Sequence, residues 1–371
     1  MKSIIVLDIG TQFVKGLIFE IKKDGKEKIF RAAVDKSNSE DIFLSCQKAI
    51  KILKKKSGIK PEEIFLGIGN DILKGRTTTL CYKRENPNQK FDLAELKYLI
   101  QKIEWKALDT IRKEFVLETE FKDTDARLID AFVLDIKIDG RSIVNPIGMN
   151  GQQICLSVYN TYIASKNLEE MRKLLGAIKL KSVGFIPVPY ALFSYLDLEK
   201  SQKGDALIID IGAKTTEITL IENGGEVIET RSFHLGGQAL TRVLADFLGM
   251  KPSEAEAVKN KYSNKEVSLE VKKKFDKLFA PNISSWQKGV KFVLEDFYKK
   301  YKFLPSKIFL CGGGSNFPLI ENSLKKEKEF KILKLEEDSC SALKRVYDDW
   351  PDGENIFLPI LKRVIKLIQN Q

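Results

Sequence analysis

The chain has 371 residues, 62 of them basic and 51 acidic, for a formal net charge of +11, and 43% are hydrophobic. That size and balance predict a globular protein of more than one domain rather than a disordered or fibrous chain. No apolar run approaches the roughly 20 residues of a membrane helix, and no cleavable leader pattern opens the sequence.

A single histidine, His234, excludes His-based triads and multi-histidine metal sites. Five scattered cysteines with no Cys-x-x-Cys predict free buried thiols, a reducing cytoplasmic setting and no zinc site. The surplus lysines lie in helical patterns such as "VKKKFDKLF", interleaved with acids and apolar positions. With no zinc-finger spacing, aromatic RNA-binding signature or arginine-rich arm, they predict solvated helix faces and no nucleic-acid partner.

The first element, "IIVLDIGTQFVKGLIFEI", reads as strand, Asp8-Ile9-Gly10 turn, strand. An amphipathic helix follows around 41–56, then a strand at Ile64–Ile68. Next come the helix "LAELKYLIQKIEWKALDTI" and the alternating strands "DARLIDAFVLDIKIDG" and "QICLSVYNTYIA", the pattern of a small α+β module. "FIPVPYALFSYL" reads as a connecting helix. "ALIIDIGAKTTEITLIEN" then repeats the opening figure, with Asp210-Ile211-Gly212 at its turn.

Past "LGGQALTRVLADFLGM", which contains Gly237, the segment "SEAEAVKNKY" is predicted helical, and its three-residue spacing puts Glu256 and Lys259 on one face. "KIFLCGGGSNFPLIENSLKK" gives a strand at Ile308–Cys311, a loop of Gly312, Gly313 and Gly314, and a helix announced by Ser315, Asn316 and Pro318. The ending "IFLPILKRVIKLIQNQ" opposes an apolar face to Lys362, Arg363 and Lys366. It suits either a final packed helix or one lying in an anionic membrane surface.

The repeated hairpin has a chemical use. Glycine lets the turn take positive φ and approach a ligand. Successive N–H groups there form a concave phosphate site, and an aspartate at the strand end can hold a hydrated Mg²⁺. Two such hairpins facing each other could grip one polyphosphate from both sides. There is no Walker A pattern and no dinucleotide-binding glycine fingerprint after the first strand.

Together these stretches resemble the actin/Hsp70/sugar-kinase ATPase superfamily. Within it, "NPIGMNG" and the surrounding 141–175 resemble the inserted subdomain (1C, SHS2-like) of the FtsA family of bacterial cell-division proteins, with the PilM family of pilus assembly as the alternative. The resemblance implies an α/β, actin-like fold of two duplicated ribonuclease-H-like domains around a nucleotide cleft. Residues 1–82 would begin domain IA, and 83–164 would be the inserted α+β subdomain. Domain IA would resume with helices over 165–199. Domain IIA would fill 200–322, with a reduced IIB at about 245–280. The last part of IA and a C-terminal amphipathic helix would fill 323–371.

The implied ligands are ATP and Mg²⁺. Asp8 and Asp210 would hold the metal through water and orient the attacking water. Gly10, Thr11, Gln12, Gly212, Ala213 and Thr215 would receive phosphates, with Lys15 and Lys214 neutralising charge. Gly237, Glu256, Lys259, Gly313, Gly314 and Ser315 would face the nucleoside. Val188 falls near where actins carry a water-orienting glutamine, which implies at most slow hydrolysis. The implied role is a filament-forming adaptor, cytoplasmic and peripheral at the inner membrane, that binds the FtsZ C-terminal tail. A PilM-like pilus scaffold or a small-molecule kinase would be its rivals.

Overall fold

The computed structural model describes residues 2–21, 27–35, 42–69, 72–118, 126–178, 180–198, 204–222, 227–325 and 330–335. The chain runs β1 (Lys2–Ile9), β2 (Phe13–Ile21), β3 (Glu27–Asp35), α1 (Ile42–Ser57), β4 (Glu63–Ile68), β5 (Leu73–Lys83), α2 (Leu93–Glu118), β6 (Ala126–Ile138), β7 (Arg141–Ser142), β8 (Gln153–Ala164), α3 (Ser165–Ile178), β9 (Lys181–Pro187) and α4 (Val188–Leu198). It continues through β10 (Ala206–Ile211), β11 (Thr216–Glu222), β12 (Val227–Phe233), α5 (Gly237–Leu248), α6 (Pro252–Ser263), α7 (Leu269–Tyr301), β13 (Lys307–Cys311), α8 (Pro318–Lys325) and β14 (Lys331–Lys334).

The duplication read in the hairpins extends to whole sheets. In the first sheet, ordered β3-β2-β1-β4-β9, β1 is antiparallel to β2 and parallel to β4. The strands β12-β11-β10-β13-β14 repeat that order and those directions, with β10 antiparallel to β11 and parallel to β13. The inner strands are buried on both faces, so they read as unbroken apolar runs rather than alternating ones. Ile4, Ile5, Val6 and Leu7 of β1 and Leu207, Ile208 and Ile209 of β10 are all at most 1% exposed.

Each sheet buries its outer face under helices. α1 and α3 cover the first, where Leu53, Met171 and Leu174 meet Ile5 and Leu7. Helices α5 to α8 cover the second, where Phe279, Trp286 and Phe297 meet Leu207 and Ile209. The inner faces share one core around α4, joining Ile4 and Val6 to Ile208 and Phe309 through Ala191 and Leu192. The two halves therefore meet along α4.

β5, expected in the first part of domain IA, pairs along its whole length with β8, so the inserted module starts at Leu73 rather than 83 and folds as β5-β8-β6-β7 under α2, with Leu96, Leu99 and Ile103 on Leu156 and Val158. Arg84 pins the start of α2 by a two-pronged bond to Glu95, 2.7 and 2.8 Å long. The module's sheet is also continuous with the second sheet. β5 pairs with β12 at one position, Arg76 opposite Glu229. Next to it, Thr77 Oγ1 donates to Ile228 O (3.0 Å) and accepts from Ile228 N (2.8 Å). Glu229 is buried and also receives Lys300, Tyr301 and Arg231.

Several expectations are corrected. Residues 181–187 form β9 beside β4, so the connecting helix begins at Val188 and not at Phe185; a short apolar run fits either state until its neighbour is known. The chain does not leave the second half at 323: α8 runs to Lys325 and β14 pairs with β13. Cys81 and Cys155, predicted free, stand opposite each other in the β5–β8 ladder and are joined as a disulfide, whereas Cys46 and Cys311 are buried thiols outside that disulfide. Lys362, Arg363, Lys366 and the predicted terminal helix lie outside the described residues.

Candidate functional site

The two hairpin turns are built alike. Gly10 N donates to Phe13 O (3.0 Å) and Gly212 N to Thr215 O (2.9 Å), closing the same turn at the end of β1 and of β10. Both open into one cavity of about 530 Å³ lying between the halves. Asp8, Gly10, Thr11, Gln12 and Lys15 line one wall; Asp210, Gly212, Ala213 and Thr215 line the other.

Asp8 and Asp210 are close enough to influence each other. Burial, then repulsion from Asp8, raises the Asp210 carboxyl to about 6, with Lys15 opposing. Two facing carboxylates beside glycine turns suit a hydrated divalent cation with an anion next to it. They supply too few oxygens to displace all of its water.

The third wall is the loop after β13. Gly312 has φ +80°, and a Cβ there would lie 2.1 Å from Asp210 Oδ1, so only glycine clears the carboxylate. Gly313 and Gly314 line the cavity beyond it. At Gly314 a Cβ would meet Ile211 Cγ2 at 2.3 Å, whereas at Gly313 it would point into open space.

The fourth wall comes from α5 and α6. The N-terminus of α5 is sealed onto the second turn, Gly237 N bonding Gly212 O (3.0 Å) and Gln238 N bonding Ala213 O (2.8 Å). Glu256 and Lys259 are paired at 2.7 Å. Lys259 Nζ also donates to Thr241 Oγ1 (2.9 Å) and to Gly237 O (3.2 Å), and Thr241 bonds Glu256. The pair read from helix spacing is thus fixed at the cavity rim.

Two predicted residues are not part of the lining. Lys214 is exposed at the turn, and Ser315 folds back so that its Oγ donates to Gly312 O (2.7 Å), leaving Asn316 to line the cavity. His234 sits in the exposed bend after β12, outside the cavity. Val188 and Leu192 of α4 give an apolar patch.

Sequence reading missed Asn260, Ser263 and Asn264 at the end of α6, and Glu217. Glu217 had a signal: it follows Asp210 by seven positions, as Lys15 follows Asp8, and each pair stands directly across its hairpin.

A family model described as type IV pilus assembly protein PilM matches residues 190–340. The cell division protein FtsA of Neisseria meningitidis serogroup B is 25% identical over 273 residues, covering 70% of this chain and 61% of that one. The chain therefore spans about three fifths of the length of the curated relatives it matches. The solved PilM–PilN type IV pilus biogenesis complex contains a similar chain: TM-score 0.62, 17% identity, 99% of this chain and 97% of that one covered. The chain is thus similar to FtsA and PilM proteins, and its fold is actin-like. The actin-like fold also matches MreB 5 of Spiroplasma citri bound to AMPPNP, with TM-score 0.50, 12% identity and coverage of 100% and 99%.

Proposed function

We propose that the chain binds Mg·ATP between its halves and works as a nucleotide-gated adaptor. The observation that carries this reading is the placing of Asp8 and Asp210 on opposite walls of one cavity, each beside a glycine turn of identical build. Mg²⁺ would be held through water by both carboxylates and would offset phosphate charge. Gly10 and Gly212 close the turns that bring Thr11, Gln12, Ala213 and Thr215 to the phosphates, and Lys15 adds a positive charge. Glu256, Lys259, Gly313 and Gly314 lie where the nucleoside would fit. Ligand held by both walls favours the closed arrangement, a population shift between open and closed states.

With Val188 and Leu192 in the wall, water orientation is poor and turnover is slow, so gating rather than flux is the role. The Neisseria relative, a cell division protein, favours a cell-division adaptor; on that reading the chain self-associates and engages the FtsZ C-terminal tail at the inner membrane face. The matching family model favours a pilus scaffold; on that reading the chain engages a PilN-type tail. Fluorescence anisotropy of labelled FtsZ and PilN tail peptides, titrated with the protein in Mg·ATP, separates them. Saturable binding of one alone names the role; binding of neither rejects both adaptor readings. Calorimetric titration with Mg·ATP tests the cavity itself.

A further inference from the structure

Helix α6 has two working faces. Glu256, Lys259, Asn260 and Ser263 recur at helical spacing along one of them and line the cavity, as does Asn264 just past the helix. The other face is sparse. Ala255 and Tyr262 are the residues that α6 buries, and Tyr262, 2% exposed, is its one large anchor. The start of the cavity face is held to α5 by the bonds of Glu256 and Lys259 to Thr241. The last turn, with Asn260 and Ser263, is backed by Tyr262.

Tyr262 makes that attachment in two ways. Its hydroxyl donates to Asp276 Oδ1 of α7 (2.5 Å), and Lys272 Nζ donates to the other oxygen of the same carboxylate (2.5 Å), which holds the acceptor in place. A hydroxyl bonded to a charged acceptor makes one of the stronger hydrogen bonds. The Tyr262 ring packs on Phe279, centroids 5.5 Å apart, and on Phe317 at 5.2 Å. Phe317 lines the cavity directly after the glycine loop, and its N–H donates to Gly314 O (3.1 Å). The turn after α6 is fixed on the same residue, with Lys265 at φ +62° and its N–H on Tyr262 O (3.1 Å). One side chain thus joins two pieces of the wall, the end of α6 and the loop after β13.

We propose that Tyr262 is a positioning residue for the nucleoside end of the ligand: its bond to Asp276 sets the last turn of α6 against Phe317 and so fixes the slot for a base. This rests on the reading of the cavity as a nucleotide site. The slot suits a flat heterocycle with a hydrogen-bonding edge. Phe317 and Gly313 line it beside Asn260, Ser263 and Asn264, whose carboxamides and hydroxyl can both donate and accept. The phosphate end belongs to the turns at Gly10 and Gly212, on other walls of the cavity. A loosened tether therefore widens one end of the site and leaves the other as built.

The test separates the two ends. The full chain, Tyr262→Phe, Asp276→Ala, the double variant and Val293→Ala are each titrated by calorimetry with Mg·ADP and with Mg·pyrophosphate, and unfolded in urea without ligand. Val293 is buried in the same core but lies roughly 25 Å farther along α7 and outside the cavity lining, so its truncation lowers stability without touching the tether.

Tyr262→Phe keeps the ring and is expected to weaken Mg·ADP about fivefold, while Mg·pyrophosphate binds as in the wild type. Asp276→Ala gives the same split, and the double variant loses no more than either alone. Val293→Ala keeps full affinity for both ligands. Equal losses for both ligands, unchanged Mg·ADP affinity in Tyr262→Phe, additive losses in the double variant, or weakened Mg·ADP in Val293→Ala would each overturn the proposal and leave the cavity reading standing. If the wild type takes up Mg·ADP but no Mg·pyrophosphate, the double-variant cycle on Mg·ADP decides in the same way. A wild type that takes up neither rejects the cavity reading, and the proposal falls with it.

Discussion

Asp210 stands directly opposite Glu217 across the second hairpin, where the first hairpin sets Asp8 opposite Lys15. One wall of the cavity thus pairs an acid with a base and the other pairs two acids. Ligand charge is received unequally. Asp8→Ala is expected to lower Mg·ATP affinity at least about tenfold by loss of a cation-facing carboxylate, and to leave the melting temperature within a few degrees. Calorimetry and thermal unfolding of the same sample test both parts, and unchanged affinity would remove Asp8 from the site.

The raised Asp210 carboxyl makes a prediction about pH. Its folded value of about 6 lies above the ordinary 3.8, so the folded state binds the proton more tightly than the unfolded chain. Stability from this group is greatest at low pH and falls as pH rises from about 4 to about 6, by about 3 kcal/mol for roughly two units. In Asp210→Asn that decline disappears. Scanning calorimetry of nucleotide-free protein at pH 4 to 7 measures the difference, and parallel pH profiles would contradict the assignment. Conversely, Mg·ATP affinity of the wild type should weaken as pH falls through 6.

The three-glycine loop separates folding from binding. Gly312→Ala places a methyl against the Asp210 carboxylate at positive φ and should destabilise the fold by about 1–3 kcal/mol, besides losing nucleotide. Gly313→Ala meets nothing in the protein but narrows the cavity. Its urea midpoint should match the wild type while Mg·ATP binding weakens severalfold. Full binding by Gly313→Ala would mean the nucleoside does not approach this loop.

Glu229 holds the junction between the module and the second half. Burial pushes its carboxyl up, yet Lys300, Arg231 and the Tyr301 hydroxyl outweigh burial and keep it below its ordinary value. It therefore contributes stability above the ordinary carboxylate range, and that stability is lost as pH falls through its lowered value. Glu229→Gln leaves Lys300 and Arg231 without their shared anion and should cost about 3–5 kcal/mol. Urea unfolding at pH 7 reads this directly, and a loss below 1 kcal/mol would show that the cations find other partners.

What the sequence revealed and what it hid divide along physical lines. The hairpins at Asp8 and Asp210 were legible because an apolar run ending in Asp-x-Gly depends only on neighbours in the chain. β8 was legible from its alternation, and the Glu256–Lys259 pair from helical spacing. The side-chain directions of Lys214 and Ser315 depend on turn geometry, which residue type alone does not fix. The Cys81–Cys155 bridge, 74 residues apart in sequence, depends on strand register. So does Thr77 on Ile228, separated by 151. Glu217 was hidden differently: its position repeats Lys15 but with the charge inverted, so a search for like residues passes over it.

The single strand pairing between β12 and β5 changes what counts as a separable piece of this chain. By sequence order the inserted module is an appendage of the first half, yet its hydrogen bonds shield the flank of the second. A fragment limited to residues 204–335 would retain its helices and its glycine loop but bare the backbone of β12 to other copies. Such an open flank is a template for strand-to-strand clumping. Dissection of this protein at the boundaries its topology suggests should therefore give insoluble material, and a soluble second half requires the module to be supplied with it.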